Sequence, residues 1–394
     1  MDEVVVTGYG TAKAKEVTSA ITSIKAEDFN KGNISDPTQL LQGKVAGLTI
    51  SRPGSNPNGG FNIRLRGLGT LGANTQPLVI IDGVLGADLN TVDPNDIASI
   101  DVLKDASAAA IYGTRGGSGV ILITTKSGQA GKTTVNYEGF VSADLLDRYQ
   151  EVLSPDEFRN FAGGTSGSLR GTDLGSSTEW FDEITEVGVS QVHSLSVSGG
   201  SKNTTYRASG NFRSVNGVAK KTGFERLNGR LNVSQKALND RLKLDFNYTT
   251  TAIDQQLGFD EAFRYATIYN PTAPIRSNDP AFARYDGYFQ QTLFDYFNPV
   301  AIIEQNTNEG EVRNSIASFR GTFTLLDGLD VSASFAQERK DFTRRTYYDK
   351  NSFFRGTDRN GLAEQRNEKN LNDLFELTAN YRKKLDKVEF SLLG

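Results

Sequence analysis

The residue types that most often carry out chemistry in proteins are scarce in this sequence. It contains no cysteine and a single histidine, His193. Thiol catalysis, disulfide frameworks and the usual Cys/His zinc sites are therefore excluded by inventory, and we expect no metal site. Asp82, after the apolar run 78–81, could be imagined as a catalytic carboxylate, but Asp-Gly is among the strongest hairpin signals. Neither His193 nor Asp82 has other catalytic residues at a recognisable spacing, so we do not expect this protein to be an enzyme.

A glycine-rich run is the only sign of a cofactor. Gly67-Leu-Gly-Thr-Leu-Gly72 matches the G-x-G-x-x-G pattern of dinucleotide-binding proteins. The run is followed by Ala73-Asn-Thr-Gln-Pro77, which predicts a loop rather than the helix that the fingerprint requires. We therefore expect a turn between two strands and no bound cofactor.

Composition favours a β-rich protein. Glycine supplies 40 of 394 residues, hydrophobic residues 37% and aromatic residues 10%. The formal net charge of −4 and the absence of a basic stripe argue against a nucleic-acid partner. The longest apolar stretches fall far short of the roughly 18 residues that a spanning helix needs. If this chain crosses a membrane, it does so with strands.

From Thr133 onward, polar and apolar residues alternate with period two. In one run Leu242, Leu244, Phe246 and Tyr248 share a face, and polar residues take the other. Such alternation also suits a one-sided soluble sheet. About nine strands are predicted, at 133–144, 189–199, 204–215, 223–236, 241–254, 313–326, 329–344, 371–385 and 388–394.

The connections between these strands favour a transmembrane barrel. Tight turns at 199–203, 237–240, 327–328 and 386–387 alternate with connections that are mostly long. The long ones are 145–188, 255–312 and 346–370, and a short one lies near 216–222. Short turns at one end and long loops at the other are typical of barrels in bacterial outer membranes. The apolar face should then meet lipid, and the polar face should meet the lumen. His193 is expected to face either the lumen or an interface.

The first part of the chain predicts a small α+β unit. Short helices are expected at 37–43, after Asp93-Pro94 and at 106–112, and a strand begins within 45–50. Val120–Thr125 is wholly apolar at its start, which predicts a strand buried on both faces.

The amino-acid sequences of four segments in this unit resemble those of a known family. They are Glu3-Val-Val-Val-Thr-Gly8, Leu40–Ile50, Ile63–Gly69 leading into Pro77–Val84, and Asp101–Lys126. In that order they resemble the plug domain of a TonB-dependent outer-membrane transporter of the SusC/RagA branch. The resemblance is specific over residues 2–128 and looser beyond. It implies a Gram-negative outer-membrane protein.

The resemblance also implies partners and site residues. Glu3, Val4, Val5, Val6, Thr7 and Gly8 match the TonB box, the strand that TonB, working with ExbB and ExbD, captures by backbone pairing. Arg64 and Arg66 share one face of a strand, and the family implies that they contact acidic residues of the barrel wall. Ordinary solvated surface ion pairs are the alternative.

The segment 255–312 is unusually rich in aromatic residues, among them Phe289, Phe294 and Tyr296. Three interpretations stay open. The rings bind an oligosaccharide or peptide ligand, they pack on one another, or they dock the SusD-like lipoprotein with which SusC-like transporters pair.

We therefore predict an α+β plug followed by antiparallel transmembrane β-barrel strands. The divisions are 1–9 for the TonB box, 10–128 for the plug and 129–394 for the first part of the barrel. Nine strands are too few, since plugged transporters need about 22. We expect a longer transporter, with an export signal upstream and closing strands downstream.

The function implied by the resemblance is TonB-dependent import of a large nutrient, an oligosaccharide or a peptide, together with a SusD-like lipoprotein. A siderophore or cobalamin receptor of the same architecture is the first alternative. A soluble or surface-attached β-rich adhesin is the second, and it would not need lipid around its apolar stripes.

Overall fold

The computed structural model describes residues 4–7, 10–13, 21–30, 32, 34, 36–52, 54, 56–65, 67, 75–104, 110–162, 171–291, 293–385 and 388–394. The described residues between 21 and 125 form a small unit, called the plug here. Residues 131–393 contribute nine long strands to one open sheet, called the wall.

The described residues of the N-terminal region contain nine short strands. A five-stranded sheet has the order β3-β8-β9-β6-β7, and two-stranded sheets join β1 to β2 and β4 to β5. The strands are β1 (Val4–Thr7), β2 (Gly10–Lys13), β3 (Ile21–Lys25), β4 (Leu48–Ser51), β5 (Asn62–Leu65), β6 (Leu78–Ile81), β7 (Val84–Leu85), β8 (Ile97–Leu103) and β9 (Val120–Thr125). The 3-10 helices are Ala26–Asp28, Pro37–Leu41, Leu89–Thr91, Pro94–Asp96 and Ala110–Gly116.

Strand β9 is the centre of the plug, as its apolar sequence predicts. It pairs with β8 on one side, antiparallel, and with β6 on the other, parallel. Its side chains alternate between two cores, with Ile121 and Ile123 in the larger and Val120 and Leu122 in the smaller. Burial on both faces explains why the run carries no polar alternation.

The predicted plug helices are shorter than expected. Pro37–Leu41 is a 3-10 helix that Asp36 caps by accepting a hydrogen bond from the Thr38 backbone N–H at 2.8 Å. The segment opened by Asp93-Pro94 ends after three residues, and Ile97–Leu103 is a strand. Its isoleucines and valine favour the pleated conformation, and the space beside β9 buries them. Residues 106–109 of the third predicted helix, 106–112, lie outside the described part, and 110–112 belong to the 3-10 helix Ala110–Gly116.

The wall confirms the nine predicted strands and their order. Each strand pairs antiparallel with the next along the chain, and the sheet does not close. The strands are β10 (Gly131–Asp144), β11 (Gly188–Gly200), β12 (Thr204–Asn216), β13 (Gly223–Ala237), β14 (Leu242–Gln256), β15 (Asn306–Leu326), β16 (Leu329–Tyr348), β17 (Leu362–Leu385) and β18 (Val388–Leu393).

Two wall strands begin earlier than predicted. β15 starts at Asn306 rather than 313, and β17 starts at Leu362 rather than 371. Residues 306–311 and 363–370 are almost all polar on both faces. Period-two alternation is visible only where the two faces meet different surroundings, so these extensions carry no such signal.

The two faces of the wall have the polarity of a membrane barrel. On β13 the apolar face is open, with Leu227 60% and Leu231 39% exposed, while Asn228 is 1% and Arg230 6% exposed. The polar face is buried because the plug lies against it. A soluble sheet would bury the apolar face instead.

His193 lies on the outer face, away from the plug, so the lumen position considered for it is wrong. On β11 it alternates with Val192 and Ser194, which are buried on the plug side. The Tyr137 hydroxyl and His193 Nδ1 are 2.7 Å apart, with the two rings stacked. Tyr137 reaches across Gly139, where an added Cβ would stand 2.8 Å from that hydroxyl.

Four short α-helices occur in the described residues of the long connections. Loop A (residues 145–187) holds α1 (Pro155–Ala162) and α2 (Trp180–Ile184), and loop B (residues 257–305) holds α3 (Glu261–Ile268) and α4 (Pro299–Gln305). Two more 3-10 helices, Pro280–Tyr285 and Thr357–Arg359, complete the loop side. None of the helices in the described ranges has the length and hydropathy to span a membrane.

Leu231 provides a test of the outer face, since it lies near the middle of β13. We expect Leu231→Arg in the full-length protein to lower the free energy of unfolding by about 2–4 kcal/mol, because the guanidinium would face hydrocarbon. Urea unfolding in lipid vesicles measures the effect, with Leu231→Phe as the apolar control. Equal stability of the two variants would show that this face does not meet lipid.

Candidate functional site at the plug surface and the loops

The turn between β6 and β7 brings a plug carboxylate to the wall. Asp82 and Gly83 form the two-residue hairpin that the sequence predicts, with φ of 48° and 87°. Asp82 Oδ1 accepts from the Thr125 backbone N–H at 3.0 Å, and Oδ2 accepts from the Thr125 hydroxyl at 2.8 Å. Oδ2 also pairs with Arg230 of β13. One residue therefore shapes the hairpin and docks it.

Gly83 is required at this turn for two reasons. Its positive φ favours glycine, and a Cβ placed there would lie 3.3 Å from the guanidinium of Arg320 on β15. The hairpin can approach the wall because nothing projects from its second residue.

Asp93 places one carboxylate between two wall arginines. Its Oδ1 accepts from the Asn95 backbone N–H at 3.0 Å and so caps the 3-10 helix 94–96. Its Oδ2 lies 3.1 Å from Arg226 Nη2 and 3.7 Å from Arg213 Nη2. All three side chains are at most 2% exposed. A buried pair of this kind depends on both partners, because either charge alone would lack its hydration.

Asp96, three residues further on, meets β12 along one row of side chains. Its carboxylate accepts hydrogen bonds from Arg207 Nη2 at 3.1 Å, Ser209 Oγ at 2.8 Å and Asn211 Nδ2 at 2.8 Å. These donors occupy alternate positions of the strand, all on the plug side. The polar face of β12 is therefore complementary to a single plug carboxylate.

A fourth contact joins the plug to β16. Asp88 pairs with Lys340, and the Asp88 backbone N–H donates to Glu338 at 3.4 Å. Burial acts to raise the pKa of Asp88, but Lys340 and the hydrogen bonds from Lys340 and Asn90 together hold that pKa below its usual range. A cavity of about 1280 Å³ opens beside these residues between plug and wall.

Of the two arginines expected to join plug and wall, the structure describes only Arg64. Arg64 is exposed on β5, opposite Thr49 of β4, and Arg66 lies outside the described residues. The plug–wall ion pairs described above have the opposite polarity, with acids on the plug and arginines or lysine on the wall. The contact of Arg64 and Arg66 with wall acids stays a prediction.

The N-terminal segment is extended, as its β-branched residues predict, but it is paired. β1 lies antiparallel to β2, with Val4 opposite Lys13 and Thr7 opposite Gly10. Pairing between segments so close in sequence needs little loop-closure entropy. Glu3 and Gly8 lie outside the described residues, and the TonB-binding role of 3–8 stays a prediction.

Most of the loop aromatics pack on one another. A buried cluster contains Trp180 of α2, Tyr265 of α3 and Ile302 of α4, together with Phe259, Tyr269, Tyr348 and Phe354. Phe289 packs against this cluster, with its ring 5.0 Å from that of Phe282. Asn298 caps α4 by accepting from the Val300 and Ala301 backbone N–H groups at 3.1 and 3.2 Å. Self-packing, one of three interpretations, thus accounts for most of these rings.

The other two rings singled out from the sequence differ in exposure. Tyr296 stacks on Tyr269 at 4.6 Å, and its hydroxyl accepts from the Asn270 backbone N–H and donates to the Ile268 carbonyl. Burial raises the pKa of Tyr296 to about 12. Phe294, by contrast, is 99% exposed. Ligand contact by Phe289, Phe294 and Tyr296 stays a prediction.

A cavity of about 890 Å³ opens between loops A and B. Its lining includes Phe158, Trp180, Tyr269 and Tyr296, with acidic and amide side chains beside them. Its volume is in the range that takes a drug-sized ligand. Within the described part of the chain, no metal-binding group of three His, Asp or Glu side chains occurs.

Comparison with known proteins agrees with this architecture. The family described as TonB-dependent Receptor Plug Domain matches residues 13–120. The TonB-dependent receptor SusC of Bacteroides thetaiotaomicron is 32% identical, over 100% of this chain and 42% of SusC. The TonB-dependent receptor P26 of Formosa agariphila is 32% identical, over 86% of this chain and 35% of P26.

A solved structure shows the same fold. The RagAB peptide importer in its open-open state matches with a TM-score of 0.82 at 21% identity, over 99% of this chain and 48% of the RagAB chain. The present chain thus spans less than half the length of the relatives it matches. It belongs to the SusC/RagA-type TonB-dependent transporters. These are outer-membrane β-barrel proteins of Gram-negative bacteria.

Sequence reasoning missed the carboxylates that hold the plug of this SusC/RagA-type chain. Asp82 and Asp93 were interpreted only as turn and helix-start residues, which they are, and Asp96 was not singled out. The signal that could have found them lies in the wall, where Arg207, Arg213, Arg226 and Arg230 all fall on the polar face of β12 and β13. Arginines on a lumen face need acidic partners.

Asp93 allows a direct test of the plug–wall contact in the full-length transporter. Asp93→Asn keeps the acceptor for Asn95 but leaves Arg213 and Arg226 without a countercharge. We expect the plug to lose about 3–5 kcal/mol of stability against local opening, measured by hydrogen exchange of plug amides. The control is Asp156→Asn. The Asp156 side chain pairs with Arg159 but is 89% exposed, so this change should alter stability by at most about 1 kcal/mol. Unchanged exchange in Asp93→Asn would contradict the contact.

Asp36 predicts a pH dependence of the transporter's plug. Burial raises the pKa of Asp36, partly opposed by hydrogen bonds from Thr38. The charged form therefore destabilises the plug above that pKa, and this loss disappears as the pH falls towards the ordinary value of about 4. Asp36→Asn should stabilise the plug at pH 7 and have little effect near pH 4, in urea unfolding followed by a label on the plug. A stability difference that grows at low pH would refute this.

Proposed function

We propose that the protein to which this chain belongs imports a large nutrient, an oligosaccharide or a peptide, across the outer membrane with energy supplied through TonB, ExbB and ExbD. The observation that carries the proposal is the position of the plug, which covers the polar face of the wall and is held there by Asp82, Asp88, Asp93 and Asp96. Cargo larger than a small solute passes only if these contacts are broken.

The relatives support this reading of the plug. SusC and P26 are TonB-dependent receptors by name, and the RagAB structure is that of a peptide importer. None of these names describes an enzyme.

We propose that a SusD-like lipoprotein covers the loop side. The open apolar face of the wall argues against the soluble adhesin.

The energy input would arrive through the start of the chain. Segment 4–7 precedes β3, which is the edge strand of the plug sheet and pairs only with β8 among the described strands. β8 follows directly on Asp93 and Asp96, the residues held by the wall. A pull on segment 4–7 would first separate it from β2 and would then act on the β3–β8 pair, next to the buried ion pairs of Asp93 and Asp96. Ligand bound on the loop side would make residues 2–9 available to TonB.

Deleting Glu3–Gly8 from the complete protein tests the assignment. Energised uptake should be lost while ligand binding at the loops is unchanged, because the deletion removes only the strand that TonB captures. Uptake of a labelled ligand by whole cells and binding to the purified protein are the two measurements. Uptake that survives the deletion would disprove the role of this segment.

Single substitutions refine that test. Val5→Pro removes one backbone donor and restricts the strand, so it should impair uptake strongly if pairing is through the main chain. Val5→Thr keeps both the donor and the strand preference and should retain most of the uptake. Similar uptake by both variants would show that strand pairing at this position is not used.

A further inference from the structure

The two long loops carry a charge that the rest of the chain does not share. Loop A contains nine Asp and Glu and three Arg, and loop B contains six Asp and Glu and three Arg. Their combined formal charge is −9, whereas the whole chain has −4. The loop side of the protein is therefore acidic, and the remainder is basic.

The basic side chains of these loops are already used inside them. Among the described arginines, four pair with acids of the same loop and Arg284 lies over the ring of Tyr285 at 5.0 Å. The pairs are Arg148–Asp147, Arg159–Asp156 and Asp173, Arg264–Asp295, and Arg276–Asp286. The acids left over have no positive partner among the described residues of the two loops.

Three of these remaining acids line the 890 Å³ cavity. Glu151, Glu157 and Glu179 contribute to its wall, and no Lys or Arg does so among the residues that the structure describes. Glu157 accepts hydrogen bonds from the Ser154 backbone N–H and hydroxyl at 2.9 and 2.8 Å, but none of the three forms an ion pair within the described ranges. Among the described lining residues, the negative charge of the cavity thus has no positive counterpart.

Trp180 and Tyr269 present little free ring surface to the cavity, whereas Phe158 and Tyr296 are half-buried. Trp180 and Tyr269 are 3% exposed, and the Trp180 indole N–H donates to the Asn270 carbonyl at 3.0 Å. Tyr269 and Tyr296 stack on each other. A sugar ring binds aromatic residues through an open face, and the faces of Trp180 and Tyr269 are already covered by protein. The aromatics serve here as a rigid base.

Exposed aliphatic side chains surround the charged lining. Leu153, Ile268 and Leu293 line the cavity and remain roughly half exposed. A ligand that satisfies both features has apolar groups for the rim and cationic groups for the glutamates. Peptides that combine aliphatic and basic side chains have this chemistry, and neutral glycans do not.

We propose that the cavity between loops A and B binds a segment of peptide through its lysine or arginine side chains, with Glu151, Glu157 and Glu179 as the recognising groups. This rests on the proposed import function and names its substrate class. The carboxylates attract the cationic groups, the rim contacts neighbouring aliphatic side chains, and the stacked tyrosines keep the base of the cavity fixed.

Binding to the full-length protein in detergent tests the proposal. The probes are a fluorescent peptide of alternating lysine and valine, the same peptide with glutamine for lysine, and a neutral malto-oligosaccharide as competitor. We expect the lysine peptide to bind at least about tenfold more tightly than the glutamine peptide. We also expect its affinity to fall as salt is raised. Equal affinities, or displacement by the oligosaccharide, would overturn the proposal.

Variants locate the effect. The triple change E151Q, E157Q and E179Q should weaken lysine-peptide binding by about tenfold. The triple change D182N, E183Q and E186Q alters the charge of the same loop equally, outside the cavity lining, and should have a small effect. Equal losses of peptide affinity in both variants would show that the overall negative charge of loop A attracts the peptide, and would contradict a specific site in the cavity. Loss of a co-purifying lipoprotein with unchanged peptide affinity would identify a docking surface and overturn the peptide proposal.

The import function is tested independently of this site. If deletion of Glu3–Gly8 abolishes uptake but the protein binds the lysine and glutamine peptides equally, the peptide inference is wrong and the import proposal stands. If peptide binding follows the three glutamates but uptake does not need Glu3–Gly8, the import proposal is at fault instead.

Discussion

A guanidinium removed from bulk water is stable in a protein only where a carboxylate and further acceptors replace its hydration. The wall of this protein places several such groups on one face, and the plug supplies the acids. Arg226 and Arg213 share Asp93, Arg207 meets Asp96, and Arg230 meets Asp82. The position of the plug, the polarity of the wall and the short turns that carry the aspartates all follow from this requirement. With the charged face covered, the apolar face is left for the surroundings.

The strands that could be predicted from the sequence are those whose two faces meet different surroundings. Between Leu242 and Tyr248 the alternation is complete because one face meets the plug side and the other the outside, and the strand was predicted within two residues of its ends. The early starts of β15 and β17 were missed because residues such as Asn308 and Glu309 leave both faces polar. Ile97–Leu103 was expected after a helix start, and its strand is decided by the neighbour β9, which no local pattern reveals.

The candidate sites were harder to predict than the strands. Asp82-Gly83 predicted a hairpin and it is one, but a turn signal cannot tell where the carboxylate points once the hairpin is docked. The aromatic residues of loop B suggested a binding surface, yet packing of Tyr265, Tyr269 and Phe354 explains most of them. What their sequence could not show is that the loops fold around a cavity whose unpaired charges come from loop A. Long-range juxtaposition of this kind depends on the tertiary fold alone.

Each strand of the wall from β10 to β17 pairs with the next strand along the chain, through short turns at one end of the sheet and mostly through longer loops at the other. Each consecutive pair is consequently a modular hairpin whose hydrogen-bonding needs are met by the segment next to it in the chain. Such a ribbon can lengthen during evolution by duplication of a hairpin, which would enlarge the circumference of the pore without altering the pairing already present. The circumference of the sheet and the composition of its loops can thus change independently.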